Sequence, residues 1–237
     1  MSRWSVDSLT AKSSSCASAT AAVVQHKTCA FFSMEMSEMQ VVQRLVSMLA
    51  EIDGNRMRRG RLSTQEFTAI SAASSELQQA PIFVEESSRL TVTDILAKSR
   101  RLQAERGLDL VVIDYLQLIE GIADEESRVL EVARISRSLK AIARELELPV
   151  IAVSQLSRQI EQRGTEPMLS DLRESGALEA DADLVLFLWQ KDRKDREEGV
   201  VRLKLAKHRN GPTGDFDLHF QSDLTRFRDL GETREGA

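Results

Sequence analysis

Short apolar runs that do not alternate with polar residues constrain this chain more than any other feature. They fall at residues 29–33, 81–84, 108–113, 149–153 and 184–189. A strand with one wet face alternates; a strand apolar throughout is covered on both faces, as in a mostly parallel sheet. Helix signals lie between the runs. Ser37 with Gln40, Ser63 with Glu66 and Thr91 with Asp94 each read as a capping box. The longest predicted helix covers residues 127–146, with Val129, Val132, Ile135, Leu139, Ile142 and Leu146 on one stripe.

The period changes near the end. Val201, Leu203 and Leu205 alternate with Arg202 and Lys204, and Phe216, Leu218 and Phe220 alternate with Asp217 and His219. Between them Asn210-Gly211-Pro212-Thr213-Gly214 has turn composition. This predicts an antiparallel hairpin on the edge of an otherwise parallel sheet. Strands alternating with helices then define an α/β domain.

Composition excludes several classes. No apolar run is long enough for a membrane span. Cys16 and Cys29 form no CxxC pair, so neither a disulfide scaffold nor a zinc module is expected. Residues 1–30 lack the apolar core of a signal peptide, which makes a cytoplasmic location the default. A formal charge of −5 argues against a wholly basic nucleic-acid binder. It leaves room for a few basic loops facing a channel. The start is serine-rich and contains no glycine before Gly54. Ala17 to Val24 is compatible with a helix but shows no clean period, and residues 1–28 therefore read as a frayed or irregular segment. Residues 29–230 form the domain, and residues 231–237 read as a tail.

Ligands of open α/β sheets bind outside the carboxyl ends of the strands. Three polar residues follow such ends here: Glu35, Asp114 and Gln155. Asp114 closes an apolar run in the manner of a Walker B carboxylate, which holds magnesium at nucleotide phosphates. A strand ending in Asp also occurs as a simple turn cap. Glu35 is a candidate base for an attacking water; it reads equally as a solvated charge at a helix start. Gln155 is a candidate phosphate or water ligand, or a turn amide. Parallel strands would bring all three to one rim.

Five phrases extend this pattern. They are Ser33-Met34-Glu35-Met36-Ser37, Asp114-Tyr115-Leu116-Gln117-Leu118, Val153-Ser154-Gln155-Leu156-Ser157-Arg158, the stretch from Asp171 to Asp183, and Ala206-Lys207-His208-Arg209-Asn210-Gly211-Pro212-Thr213-Gly214. In order and spacing the set resembles the C-terminal motor domain of the DnaB-type replicative DNA helicases, over roughly residues 29–230. The resemblance implies a RecA-like P-loop NTPase core, ATP and Mg2+ as cofactors, and a homo-hexameric ring moving on single-stranded DNA. Primase and a helicase loader are implied as partners.

Residue by residue, Glu35 matches the family's catalytic glutamate, Asp114 the Walker B aspartate and Gln155 the phosphate-sensing glutamine. Lys207 and Arg209 match the basic pair that reaches the next subunit's site, where arginine neutralises phosphoryl charge. Read alone, that pair is a solvated hairpin end. Arg173, Glu174 and Gly176 match a loop that grips the DNA backbone; contacts of that kind carry no base code. Arg44 matches a family arginine and is grouped with these DNA contacts.

One element departs from the family. A phosphate loop reads G-x-x-x-x-G-K-[ST], its glycines letting backbone N–H groups wrap the phosphates. The nearest stretch here is Val6-Asp7-Ser8-Leu9-Thr10-Ala11-Lys12-Ser13. Val6 and Ala11 stand where the glycines belong. Lys12 and Ser13 keep the nucleotide and metal letters. A damaged or truncated start, a decayed copy and a paralogue that has given up tight ATP binding all fit this pattern. The expected function is an ATP-dependent helicase motor impaired at its phosphate loop; the alternative is a catalytically silent RecA-like subunit that binds DNA or joins a ring.

Overall fold

The computed structural model describes residues 8–121, 127–156, 165–172 and 176–230, with side chains from Ser13 onward. The chain opens with helix α1 (Ser8–Val24), strand β1 (Cys29–Ser33), helices α2 (Glu38–Ala50), α3 (Gly54–Arg58) and α4 (Thr64–Gln79), and strand β2 (Ile82–Glu86). Helix α5 (Val92–Arg106), strand β3 (Leu110–Asp114), helix α6 (Arg128–Glu145) and strand β4 (Val150–Ala152) follow. Four further strands close the chain: β5 (Leu184–Trp189), β6 (Val200–His208), β7 (Gly214–Gln221) and β8 (Arg226–Asp229).

The strands form two sheets. The first is four-stranded in the order β2-β1-β3-β4, and every pairing in it is parallel. Its two faces carry separate cores. Phe31, Cys29 and Val112 pack with Cys16 and Ala19 of α1 and with Val41 and Leu45 of α2. Phe32, Val111 and Ile113 pack with Ile95 of α5 and with Val132, Ile135, Leu139 and Ile142 of α6. Neighbouring phenylalanines thus point to opposite faces, and both are fully buried. Each contributes roughly 1.5–3 kcal/mol by leaving water. This is why β1 reads as a continuous apolar run.

All three expected capping boxes form, at Ser37 with Gln40, Ser63 with Glu66 and Thr91 with Asp94. Helix α6 begins and ends one residue inside the predicted span. Val129 falls outside its buried stripe, because the first turn of α6 is solvated.

Two expectations are corrected. The serine-rich start is a helix from Ser8 on, and Cys16, Ala19, Ala22 and Val23 are buried. Small residues let α1 lie close against the sheet, so its apolar face carries no strong period. The run at 184–189 is not part of the parallel sheet. β5 is an edge strand, antiparallel to β6, in a second sheet of order β5-β6-β7-β8. The link from β5 to β6 holds only the short helix Arg193–Glu197. It is shorter than the crossover a parallel pair needs. Leu184 and Leu186 are accordingly 53% and 56% exposed. The predicted hairpin is present as β6 and β7, with β8 added beyond it.

Candidate functional site

The site is built from the register of β1 on β3. Ser33 lies opposite Asp114, and the Met34 N–H donates to the Asp114 carbonyl at 2.9 Å. Glu35 therefore stands just beyond the end of β1, beside the end of β3. The bend that carries it is held locally. The Ser33 hydroxyl donates to the Met36 carbonyl at 2.6 Å and accepts from the Met36 N–H at 3.2 Å. The Ser37 cap then starts α2. Glu35 is exposed to solvent on this rigid turn, while Asp114 is only 2% exposed. The peptide between Asp114 and Tyr115 is cis. Burial pushes the Tyr115 phenol up, and the Glu35 and Asp114 charges push it the same way. The phenol thus feels both carboxylates.

Helix α1 supplies the hydroxyls. Ser15 Oγ donates to Asp114 Oδ2 at 2.8 Å. Ser13 is also buried, and its hydroxyl accepts from Arg44 Nη1 at 3.4 Å. Burial pushes the Cys16 thiol up to about 12, with Arg44 pulling it down and Asp114 pushing it up. Arg44, Ser13, Ser15, Cys16 and Asp114 thus form one cluster between α1, α2 and β3. Arg44, grouped with DNA contacts on the sequence, lies in this cluster. Lys12 belongs to α1, but its side chain is outside the described residues, as are Val6 and Asp7.

Gln155 follows β4 at the same rim. Its N–H donates to Gln117 Oε1 at 3.3 Å. The Gln117 amide donates back to the Gln155 carbonyl at 3.2 Å and to Ser154 Oγ at 2.9 Å. Gln155 itself is exposed. Glu35, Asp114 and Gln155 therefore come from three adjacent strands, β1, β3 and β4, as the apolar runs predict.

Lys207 and Arg209 belong to the second sheet, Lys207 near the end of β6 and Arg209 just after it. Lys207 Nζ donates to the Glu179 carbonyl and, at 3.4 Å, to that of Ala180. Arg209 donates to the Ala180 carbonyl at 3.2 Å and pairs with Asp183 at 2.9 Å. These carbonyls close the short helix Gly176–Asp181. Arg209 also lines a groove of about 540 Å³ with Arg137, Lys140 and Arg144 of α6. Gly176 opens its helix; Arg173 and Glu174 lie outside the described residues.

Two site residues escaped the sequence reading. Ser15 sits in the run Ser13-Ser14-Ser15, and only the helical phase decides which hydroxyl faces Asp114. Gln117 lies inside one of the quoted phrases, and its signal was its place just after the Asp114 strand end. Among the described residues no group of three or more His, Cys, Asp or Glu could hold a metal on its own, and no helix is long and apolar enough to cross a membrane.

A helix-flanked parallel sheet with carboxylates and an amide at its carboxyl rim, joined to an antiparallel sheet, defines a RecA-like domain. The family profile of the DnaB-like helicase C terminal domain matches residues 9–229, and the chain belongs to that family. It is 48% identical over 203 residues to the replicative DNA helicase DnaB of Mycobacterium leprae, covering 84% of this chain and 34% of that protein. It is 46% identical over 206 residues to that of Geobacillus stearothermophilus, covering 85% and 45%. The chain thus spans about a third to a half of these relatives' length. A solved DnaB-like replicative helicase, described with its interactions with primase, superposes with TM-score 0.89 at 35% identity over 94% of this chain and 55% of that one.

Proposed function

We propose that this chain is the motor domain of a replicative DNA helicase, which binds ATP with magnesium at the rim of its parallel sheet and hydrolyses it to move on single-stranded DNA. The observation that carries this reading is the pairing of Ser33 with Asp114, because it sets the exposed Glu35 beside a buried carboxylate. Glu35 takes the proton of the attacking water. Gln155 reads the γ-phosphate. Arg44, resting against Ser13, serves this same site.

The donor set fits magnesium. That ion is held through one or two carboxylates with phosphates and waters, not by an all-protein cage. One buried carboxylate with neighbouring serine hydroxyls matches this description, and Asp114, Ser13 and Ser15 would hold it. When bound, the ion neutralises charge on the phosphates.

Lys207 and Arg209 act in trans, on a nucleotide held by the neighbouring copy in a homo-hexamer. Their position at the end of β6, in the second sheet, supports that role, as does the basic groove that Arg209 lines. Arg173, Glu174 and Gly176 meet the DNA backbone. Arg173→Ala should weaken single-strand binding evenly across sequences and lower the salt slope by about one; a sequence-dependent loss would contradict it. Interaction with primase is described for the solved relative, and we extend it, with a loader, to this chain. A cytoplasmic location follows from the same reading.

Val6 and Ala11 in place of the loop glycines support weakened nucleotide binding, and they favour a second reading, a silent subunit that joins a ring or binds DNA without turnover. Titration of the purified chain with a fluorescent ATP analogue and magnesium, with and without single-stranded DNA, separates the two. Saturation at micromolar nucleotide upholds the motor. No binding up to millimolar nucleotide leaves the silent subunit.

A further inference from the structure

The β3–β4 ladder ends at Ala152, before the chain reaches Gln155. Its last paired residues are Ile113 and Ala152. Two more main-chain bonds follow, Val153 N–H to the Ile113 carbonyl at 3.0 Å and Leu116 N–H to the Val153 carbonyl at 2.8 Å. The chain then turns away through the 3-10 turn Leu116–Leu118. From here, among the described residues, no strand pairs with Ser154 and Gln155.

Gln117 takes the place of that strand. Its side-chain amide exchanges both hydrogen bonds with one residue: it accepts from the Gln155 N–H and donates to the Gln155 carbonyl. A closely paired residue of an antiparallel strand does the same with its main chain. A further donation to Ser154 Oγ, at 2.9 Å, fixes the amide's orientation. Gln117 is itself anchored. Arg128, at the start of α6, donates to the Gln117 carbonyl and pairs with Glu131, and Glu131 accepts from the Gly121 N–H at 2.9 Å. The Gln155 side chain makes no hydrogen bond among the described residues. What is held is its main chain, and Gln117 holds it.

We propose that Gln117 is the positioning residue for Gln155, tying the main chain that carries the phosphate-reading amide to the segment that follows Asp114. The clamp stands on its hydrogen bonds; only its consequence for turnover rests on the function proposed above. A peptide held by a side chain at an exposed rim competes with water. Without the clamp Gln155 samples many orientations, and few of them face a nucleotide beside Asp114. Binding would survive, and the chemical step would slow.

The test uses the full 15N-labelled chain and two variants, Gln117→Leu and Gln117→Glu. Amide hydrogen exchange of Gln155 is measured by NMR against Val153 and Leu116, whose bonds do not involve the Gln117 side chain. Gln117→Leu should speed Gln155 exchange about tenfold and leave the other two unchanged. Gln117→Glu keeps one acceptor and replaces the donor, so its effect should fall between. Unchanged Gln155 exchange in Gln117→Leu overturns the clamp. If all three amides accelerate together, that variant has opened the strand end, and Gln117→Glu decides: selective acceleration upholds the clamp, and no change overturns it. In parallel, ATP hydrolysis with single-stranded DNA should show kcat reduced about tenfold with KM within about twofold. A rise in KM at constant kcat overturns the positioning role. Absence of turnover in the parent chain overturns the function reading and the role with it, while the exchange ratio still decides the clamp.

Discussion

The Ser15 hydroxyl donates to Asp114 Oδ2 at 2.8 Å across 99 residues of chain, and both groups are buried. This bond ties the first helix to the end of the central strand β3. It also keeps an acceptor-only carboxylate supplied with a donor away from water, where a missing donor is expensive.

Ser15→Ala should therefore destabilise the chain by about 1.5–3 kcal/mol, the range for a hydrogen bond to a charged group. Urea denaturation checks this through a lower midpoint at unchanged slope. A loss below about 0.5 kcal/mol would mean that the remaining contacts of Asp114 satisfy it.

Glu35→Gln should abolish nucleotide hydrolysis and leave nucleotide binding in place. The side chain is exposed on a turn held by Ser33 and Met36, so the amide fits without refolding. Paired turnover and binding assays decide. Retained turnover removes Glu35 from the role of base.

Glu51 predicts an acid-sensitive link between α2 and β8. It accepts from Arg226 and from Arg228, the latter at 2.8 Å. The hydrogen bond from Arg226 holds its carboxyl below the ordinary 4.5, against a smaller upward push from burial. A lowered folded-state value stabilises the fold above the unfolded value, and that contribution is lost as pH falls through the folded one. The pair is half-exposed, so solvent screening leaves it at most about 1 kcal/mol. Glu51→Gln should lower stability at pH 7, and the gap to the parent should close in acid. A gap that persists below pH 3 would assign the effect to packing instead.

Cys16 and Cys29 are both pushed up to about 12, chiefly by burial. The thiolate is the reactive form. Both should resist alkylation at pH 8 in the folded chain and react promptly in denaturant. Rapid labelling of the native chain would show that α1 opens on its own.

The parallel sheet and its rim were legible from the chain because burial on both faces leaves a mark on every residue of a strand. Phe31 and Phe32 are adjacent, and each needs its own core. The capping boxes were legible because their bonds are local, three residues apart. Glu35, Asp114 and Gln155 followed from strand ends alone. The placement of β5 was not legible: an apolar run specifies burial, but neither its partner nor its direction. The extent of helix α1 was hidden because its contacts are made largely by Cys16 and alanines, which carry little periodic signal.

Sequence by itself therefore determined the α/β class, the three capped helix starts, the hairpin and the three strand-end residues, all of which depend on local chemistry or on strand burial. Tertiary structure alone decided that Ser15 meets Asp114, that Arg44 turns to Ser13, that Gln117 holds Gln155, and that Arg209 binds the Ala180 carbonyl. Those relationships depend on helix phase and strand register, which packing sets across distances that no local pattern records.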